Sequence, residues 1–279
     1  MSAAIIGSES VAAGVVTPYL LRSRYLALHP DVYLPRAAVL DPVTRAEAAW
    51  LWSRRRGVVA GSSASALHGA KWVDPGAPAE LIYDNRHRPP NIRTFADRLS
   101  DDETTEINRM LVTTPARTAL DLACRNPINR AVAAIDALAN ATELKFADVE
   151  LLAQRYRGRR GIRRARSVLD LVDAGAESPR ETWLRLLLLR AGFPRPRTQI
   201  PVYDEFNQLI ARLDMGWEDA MIAAEYDGDH HRTDRRQFNR DIARTEALTA
   251  MGWILVRITS EDTPAVIIRR VEAAFTRRV

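Results

Sequence analysis

Cysteine is nearly absent: Cys124 stands alone among 279 residues. Neither a disulfide framework nor a cysteine-based zinc site can be built from it, and a reducing cytoplasm is the expected compartment. Lysine is almost as scarce, since only Lys71 and Lys145 interrupt an otherwise all-arginine set of 40 basic residues. Arginine's planar fork suits phosphate contacts, although codon bias in a GC-rich genome, with alanine also abundant, accounts for the same composition. Long apolar runs are missing too. The most apolar stretch, LRLLLLRAG, is broken by arginines and falls short of the ~20 residues that span a bilayer. The opening MSAAIIGSESV lacks the basic start and long apolar core of a signal peptide. A cytoplasmic protein with no membrane partner is expected.

Apolar residues make up 47% of the chain and charged residues 27%, the balance of a globular protein able to bury a core. The net charge of +5 is a modest basic excess, and the length suggests two domains.

Thr17-Pro18 reads as an N-cap and first helical position. RYLALHPDVYLPR then alternates around His29-Pro30-Asp31 as a hairpin should, so residues 1–40 suggest a reduced winged helix. A helix over 43–56 and the buried strand GVVAG follow, then a helix capped by Ser62 or Ser63. ELIYDN, RHRPPNIRTFADR and INRMLVTT read as strands with polar turns, and Thr114-Pro115 opens another helix. Residues 127–172 form a helical connector that closes an N-terminal α+β domain, 1–172. Within it, RYRGRRGIRRAR holds seven arginines interrupted by Gly158 and Gly161. Arg157, Arg159, Arg160 and Arg163 are candidates for DNA phosphate contacts there; a solvated connector is the plainer alternative.

Composition shifts at DAGAESPRE, and a second domain runs over 177–279. Ser178, Pro179 and Glu181 have the spacing of a capping box. After that helix come three short strands (QIPVYDEF, LIARLDMGW, AMIAAEYDG), a helix, the strand WILVRIT and a last helix. The expected class is α/β (α+β) with an αβββαβ core. Asp214 ends the second strand and Glu225 lies in the third, so a hairpin at 217–220 would set them side by side. Glu225 and Asp227 share a strand face. Carboxylates gathered in this way suit a hard divalent cation, which could polarise a phosphodiester and activate water.

LDMGW…AAEYDGDHHRTDRRQFNRDIARTEAL…GWILVRIT resembles the restriction-endonuclease-like PD-(D/E)XK nucleases, in particular the branch related to very-short-patch-repair (Vsr) mismatch endonucleases. That resemblance implies Mg²⁺ (or Mn²⁺) held by Asp214 and Glu225, a catalytic histidine at His231, the helix acid at Glu181 and DNA as substrate. Asp227 stands where the wider family has lysine, and Arg232, Arg235 and Arg236 follow as further DNA-facing candidates. HPDVYLP, AGSSASALHGA, VTTPARTALDLA and RYRGRRGIRRARSVLDL resemble the AbiEi-type antitoxins of type IV toxin–antitoxin systems. This second resemblance implies a winged-helix DNA-binding start and a toxin or defence-system partner. Two functions therefore stand: a Mg²⁺-dependent DNA endonuclease or nickase, and a non-catalytic, antitoxin-like transcriptional regulator with a degenerate nuclease fold. Residue by residue the plainer readings are an N-terminal capping acid for Glu181 and turn formers for Asp214 and Asp227.

Overall fold

The computed structural model describes residues 4–227 and 235–278, with backbone alone for 235–239. It is a mixed α+β protein with three sheets and eleven α-helices among the described residues. Two compact units divide it, Met1–Val172 and Asp173–Val279.

The first unit opens with β1 (Ile5–Ile6), α1 (Gly7–Ala12), α2 (Pro18–Arg24), β2 (Tyr25–His29) and β3 (Val32–Pro35). The strands form a small sheet in the order β1-β3-β2. Sequence periodicity had not revealed β1, because two residues carry no alternation. α3 (Pro42–Trp52) closes this sheet from one side, with Ala48 and Leu51 joining Ile6, Val32 and Leu34 in one apolar cluster. The Asp31 carboxylate accepts from the Ser8 amide at 2.8 Å and from Arg54 at 2.8 Å, which ties the hairpin turn to α1 and to the end of α3.

Next come β4 (Val58–Val59), α4 (Gly61–Leu67), β5 (Ala79–Ile82), β6 (Ile92–Phe95), β7 (Thr104–Ile107) and β8 (Met110–Thr113), in a five-stranded sheet ordered β6-β5-β4-β8-β7. INRMLVTT is a hairpin rather than a single strand. Asn108 and Arg109 both take positive φ (50° and 66°), the backbone of a two-residue turn. The start of α4 is also corrected. Ala60 is its N-cap, with no side-chain cap bond. Instead the Glu80 carboxylate of β5 accepts from the Ser62 amide at 3.1 Å, while Ser63 Oγ accepts from the Glu80 amide at 3.0 Å. A carboxylate across the sheet thus does the capping that a local serine was expected to do. Four helices complete the unit: α5 (Pro115–Arg125), α6 (Ile128–Ala141), α7 (Phe146–Arg155) and α8 (Ile162–Leu169).

The second unit runs α9 (Pro179–Arg190), β9 (Arg197–Tyr203), β10 (Leu209–Trp217), β11 (Ile222–Tyr226), α10 (Arg235–Ala250), β12 (Ile254–Ile258) and α11 (Pro264–Thr276). This is the αβββαβ succession with one further helix. The sheet order is β12-β11-β10-β9, with β12 parallel to β11 and the other pairs antiparallel. Two apolar clusters form on it. Ile222 and Ala224 pack with residues of α9 and α11 such as Leu184 and Val271. Ala223 packs with Leu248 of α10 and with Leu213 and Ile200. Alternate residues of β11 therefore face opposite helical layers, which is why this strand reads as a continuous apolar run. No helix among the described residues is long and apolar enough to cross a membrane.

Candidate functional site

β10 and β11 pair with Met215 opposite Ala224 and Gly216 opposite Ala223. One further step of that register sets Asp214 against Glu225. Asp214 Oδ2 accepts from the Tyr226 amide at 3.0 Å, which pins the carboxylate to the neighbouring strand. Glu225 is only 7% exposed despite its charge. Arg244 of α10 meets it in a bidentate pair, with Nη1 3.2 Å from Oε2 and Nη2 bonded to Oε1. The same step that puts Ala223 in the α10 cluster brings Glu225, two residues on, to the same helix.

Glu181 supplies the third carboxylate. Its amide donates to Ser178 Oγ at 3.2 Å, and its side chain accepts from Ser178 Oγ at 2.8 Å and from the Glu177 amide at 2.9 Å. It therefore caps α9. It also lies near enough to Asp214 to act on its charge, so capping and membership of the cluster are not exclusive. Burial, then Glu181 and Glu225 against the opposing Tyr226 amide and Arg244, pushes the Asp214 carboxyl up to about 7. Burial likewise raises Glu181 above the usual carboxylate range.

The donors do not, as placed, fit a divalent ion. Both oxygens of Glu225 are turned to a guanidinium, and one oxygen of Asp214 is taken by an amide. Among the described residues no group of three or more His, Cys, Asp or Glu side chains is arranged to hold a metal ion. Asp227 is exposed and lies beyond the end of β11, with its amide donating to Ile258 O at 2.7 Å. His231 and Arg232 lie outside the described residues, as do the side chains of Arg235 and Arg236.

The arginine run of the first unit divides. Arg157, Arg160 and Arg163 are exposed. Arg159 is not available for phosphate: it is only 13% exposed and pairs with Asp97 at 2.8 Å and Asp121 at 2.7 Å. That expectation is corrected, because the guanidinium turns inward to half-buried Asp97 and fully buried Asp121. Gly161 explains the break in the run. Its φ is +87°, and a Cβ there would come 2.3 Å from the Cys124 carbonyl oxygen, so only glycine permits this approach before α8.

Arg159 belongs to a buried ionic network that sequence reasoning missed. Arg117 is 1% exposed; its Nε donates to Asp121 at 3.0 Å and its Nη1 to Glu103, itself fully buried. Arg125 reaches Asp97 at 2.6 Å, and Arg155 reaches Glu103 at 3.0 Å. The Tyr156 hydroxyl donates to Glu103 at 2.7 Å. Burial alone would raise the Glu103 carboxyl, but the bonds from Tyr156 and Arg117 outweigh it and hold it below its ordinary value. The network joins the turn just before β7 to α5 and to the end of α7. The available signal was the spacing of Arg117, Asp121 and Arg125 at i, i+4 and i+8, which gathers charges on one helix face. Cations and acids are matched one to one among Arg117, Arg125, Arg155, Arg159 and Asp97, Asp102, Glu103, Asp121, so the network offers little field to an outside anion.

α2 has the opposite character. Thr17 Oγ1 accepts from the Leu20 amide at 3.2 Å to start it, and Leu21 is its only buried residue. Tyr19, Leu20, Arg22, Ser23 and Arg24 are all exposed. The helix passes directly into β2, and an open cleft beside it is lined by Tyr19, Ser23, Arg24, Tyr25 and Arg36.

A family model described as the AbiEi antitoxin C-terminal domain matches residues 57–171. The chain is also similar to the uncharacterized protein MT2308 of Mycobacterium tuberculosis (strain CDC 1551 / Oshkosh) and to the uncharacterized protein Rv2248 of Mycobacterium tuberculosis (strain ATCC 25618 / H37Rv). Each is 30% identical over 238 residues, which covers 85% of this chain and 83% of the relative. No solved structure matches at a comparable level.

Proposed function

We propose, for a chain that belongs to the family of the mycobacterial proteins MT2308 and Rv2248 and carries an AbiEi antitoxin-like domain, that it is a DNA-binding, antitoxin-like regulator. The observation that carries this reading is the N-terminal β1-α1-α2-β2-β3 arrangement. α2 buries Leu21 alone and leaves an aromatic and basic face open. A short helix followed at once by a hairpin has the geometry in which a helix enters the major groove while the hairpin lies along the backbone. Arg22 and Arg24 in the last turn, with Arg36 at the hairpin's end, would meet phosphates. The exposed Arg157, Arg160 and Arg163 add basic surface that fits DNA or an acidic partner such as a toxin or defence-system protein. Electrophoretic mobility shift with DNA flanking the protein's own coding sequence tests this reading. Specific binding lost in Arg22→Ala/Arg24→Ala and kept in Asp214→Asn is the expected result; no binding at low salt would overturn it.

A second reading, hydrolysis of phosphodiester bonds in DNA, is favoured by the three gathered carboxylates. It assigns Mg²⁺ (or Mn²⁺) to Asp214 and Glu225, with His231 assisting, and it requires Arg244 to leave Glu225 first. Cleavage of duplex, single-stranded or mismatched DNA by the purified chain with Mn²⁺, abolished by Asp214→Asn, is the result that would favour it over the regulator.

A further inference from the structure

We infer that Arg244 is the resident cation of the Glu181–Asp214–Glu225 cluster, so that the second unit completes its carboxylate site with its own guanidinium and takes up no divalent metal there. The inference concerns this unit alone and stands whether or not the first unit reads DNA.

The spacing of two elements builds the pair. Leu248 and Ala223 share one apolar cluster between α10 and β11. Stepping back four residues along a helix covers about 6 Å, and stepping forward two along a strand covers about 6.6 Å. Arg244 therefore comes to Glu225 by the same packing that sets Leu248 near Ala223. A buried leucine fixes the partner of a buried carboxylate, and the arginine does not have to find it across solvent.

The bond pattern leaves little room for a competing ion. Both Glu225 oxygens accept from Arg244, whose side chain is 26% exposed against 10% for the glutamate. Arg257 is register-paired with Glu225 on the parallel strand, yet its Nη2 donates to Thr245 Oγ1. Arg244 is thus the cation assigned to Glu225. Asp214 also feels this charge, and Asp241, one turn before Arg244, supports the guanidinium from its own helix. A planar, delocalised cation suits a buried carboxylate better than a compact ammonium, because it meets both oxygens at once. Removing it would leave Glu225 buried and unpaired beside Asp214, a costly arrangement unless another cation enters.

The test uses the full chain and Mn²⁺ as the probe, with uptake read by electron paramagnetic resonance and the unfolding midpoint read with and without metal. The wild-type protein is expected to hold no Mn²⁺ at millimolar concentration and to unfold identically in Mn²⁺ and in EDTA. R244Q is expected to unfold earlier, and to gain about tenfold or more in Mn²⁺ affinity with partial recovery of the midpoint in metal. Adding D214N to R244Q should remove that gain. If R244Q does not fold, R244K keeps the test sharp: it retains a charge but loses the bidentate geometry, and should lie between wild type and EDTA-treated R244Q in stability. Mn²⁺ uptake by the wild-type protein that D214N abolishes would overturn the inference, and so would an R244Q or R244K protein as stable as wild type in EDTA. DNA binding measured on the same samples separates the two proposals. A wild-type protein that binds neither Mn²⁺ nor DNA sinks the regulator and leaves Arg244 as assigned, whereas one that binds both does the reverse.

Discussion

Replacing Arg117 by methionine removes the central cation of the buried network while keeping much of its volume. The structure sets the expected cost. Arg117 is 1% exposed and serves Asp121, Glu103 and Asp97 together. Breaking a buried pair by deleting one partner costs roughly 3–5 kcal/mol, because the other charge is left desolvated. Here the acids keep some company: Arg159 and Arg125 remain on Asp121, and Arg155 and Tyr156 remain on Glu103. That places the loss at the lower end, about 3 kcal/mol. Hydrogen exchange of α5 amides measures it without interference from the second unit. A loss of that size lowers their protection by roughly a hundredfold, since about 1.4 kcal/mol is a factor of ten. Adding Glu103→Gln should then cost much less than it does in the wild-type background, since the two side chains act as one unit. A change of less than about threefold for Arg117→Met would refute the reasoning, because it would mean that the acids are solvated or that the network contributes nothing net.

Asp214 makes a pH prediction. Its carboxyl titrates at about 7 in the folded protein against 3.8 ordinarily, so between those values the native state holds a proton that the unfolded chain has released. The contribution of Asp214 to stability is therefore fully present below the lower value and is lost as pH rises toward 7, by roughly 2–4 kcal/mol in all. Asp214→Asn should flatten this slope between pH 4 and pH 7 in urea titrations; an unchanged slope would sink the assignment. The open face of α2 predicts that Arg22→Ala/Arg24→Ala weakens DNA binding and lowers the slope of log affinity against log salt by about 2, if each arginine meets one phosphate. An unchanged slope would place the contacts elsewhere. Gly161→Ala forces a Cβ to within 2.3 Å of the Cys124 carbonyl at φ +87°, and should cost at least about 1–2 kcal/mol in thermal unfolding. A neutral result would show that the turn before α8 can relax.

Local chemistry made much of the fold legible. Thr17-Pro18, Thr114-Pro115 and Ser178-Pro179 each open a helix where expected, since a short oxygen-bearing side chain followed by a fixed φ acts within a few residues. The meander of the second unit was legible for the same reason: alternation and turn residues are local signals. The α4 cap was not, because Glu80 reaches it from another strand. The hairpin at Asn108-Arg109 was missed because neither residue is glycine, although both adopt positive φ.

By itself, the sequence determined that Asp214 and Glu225 lie on successive strands and that an arginine-rich turn precedes a helix. Only the tertiary structure decided what these charges meet. Arg159 turned inward to Asp97 and Asp121, and Arg244 arrived on Glu225 from a helix nineteen residues away. Charge pairing depends on which faces are packed together, and nothing in the one-dimensional spacing of two distant residues specifies that. The hydrophobic contacts that do specify it, Leu248 near Ala223 above all, show themselves only once the sheet and its helices are in place.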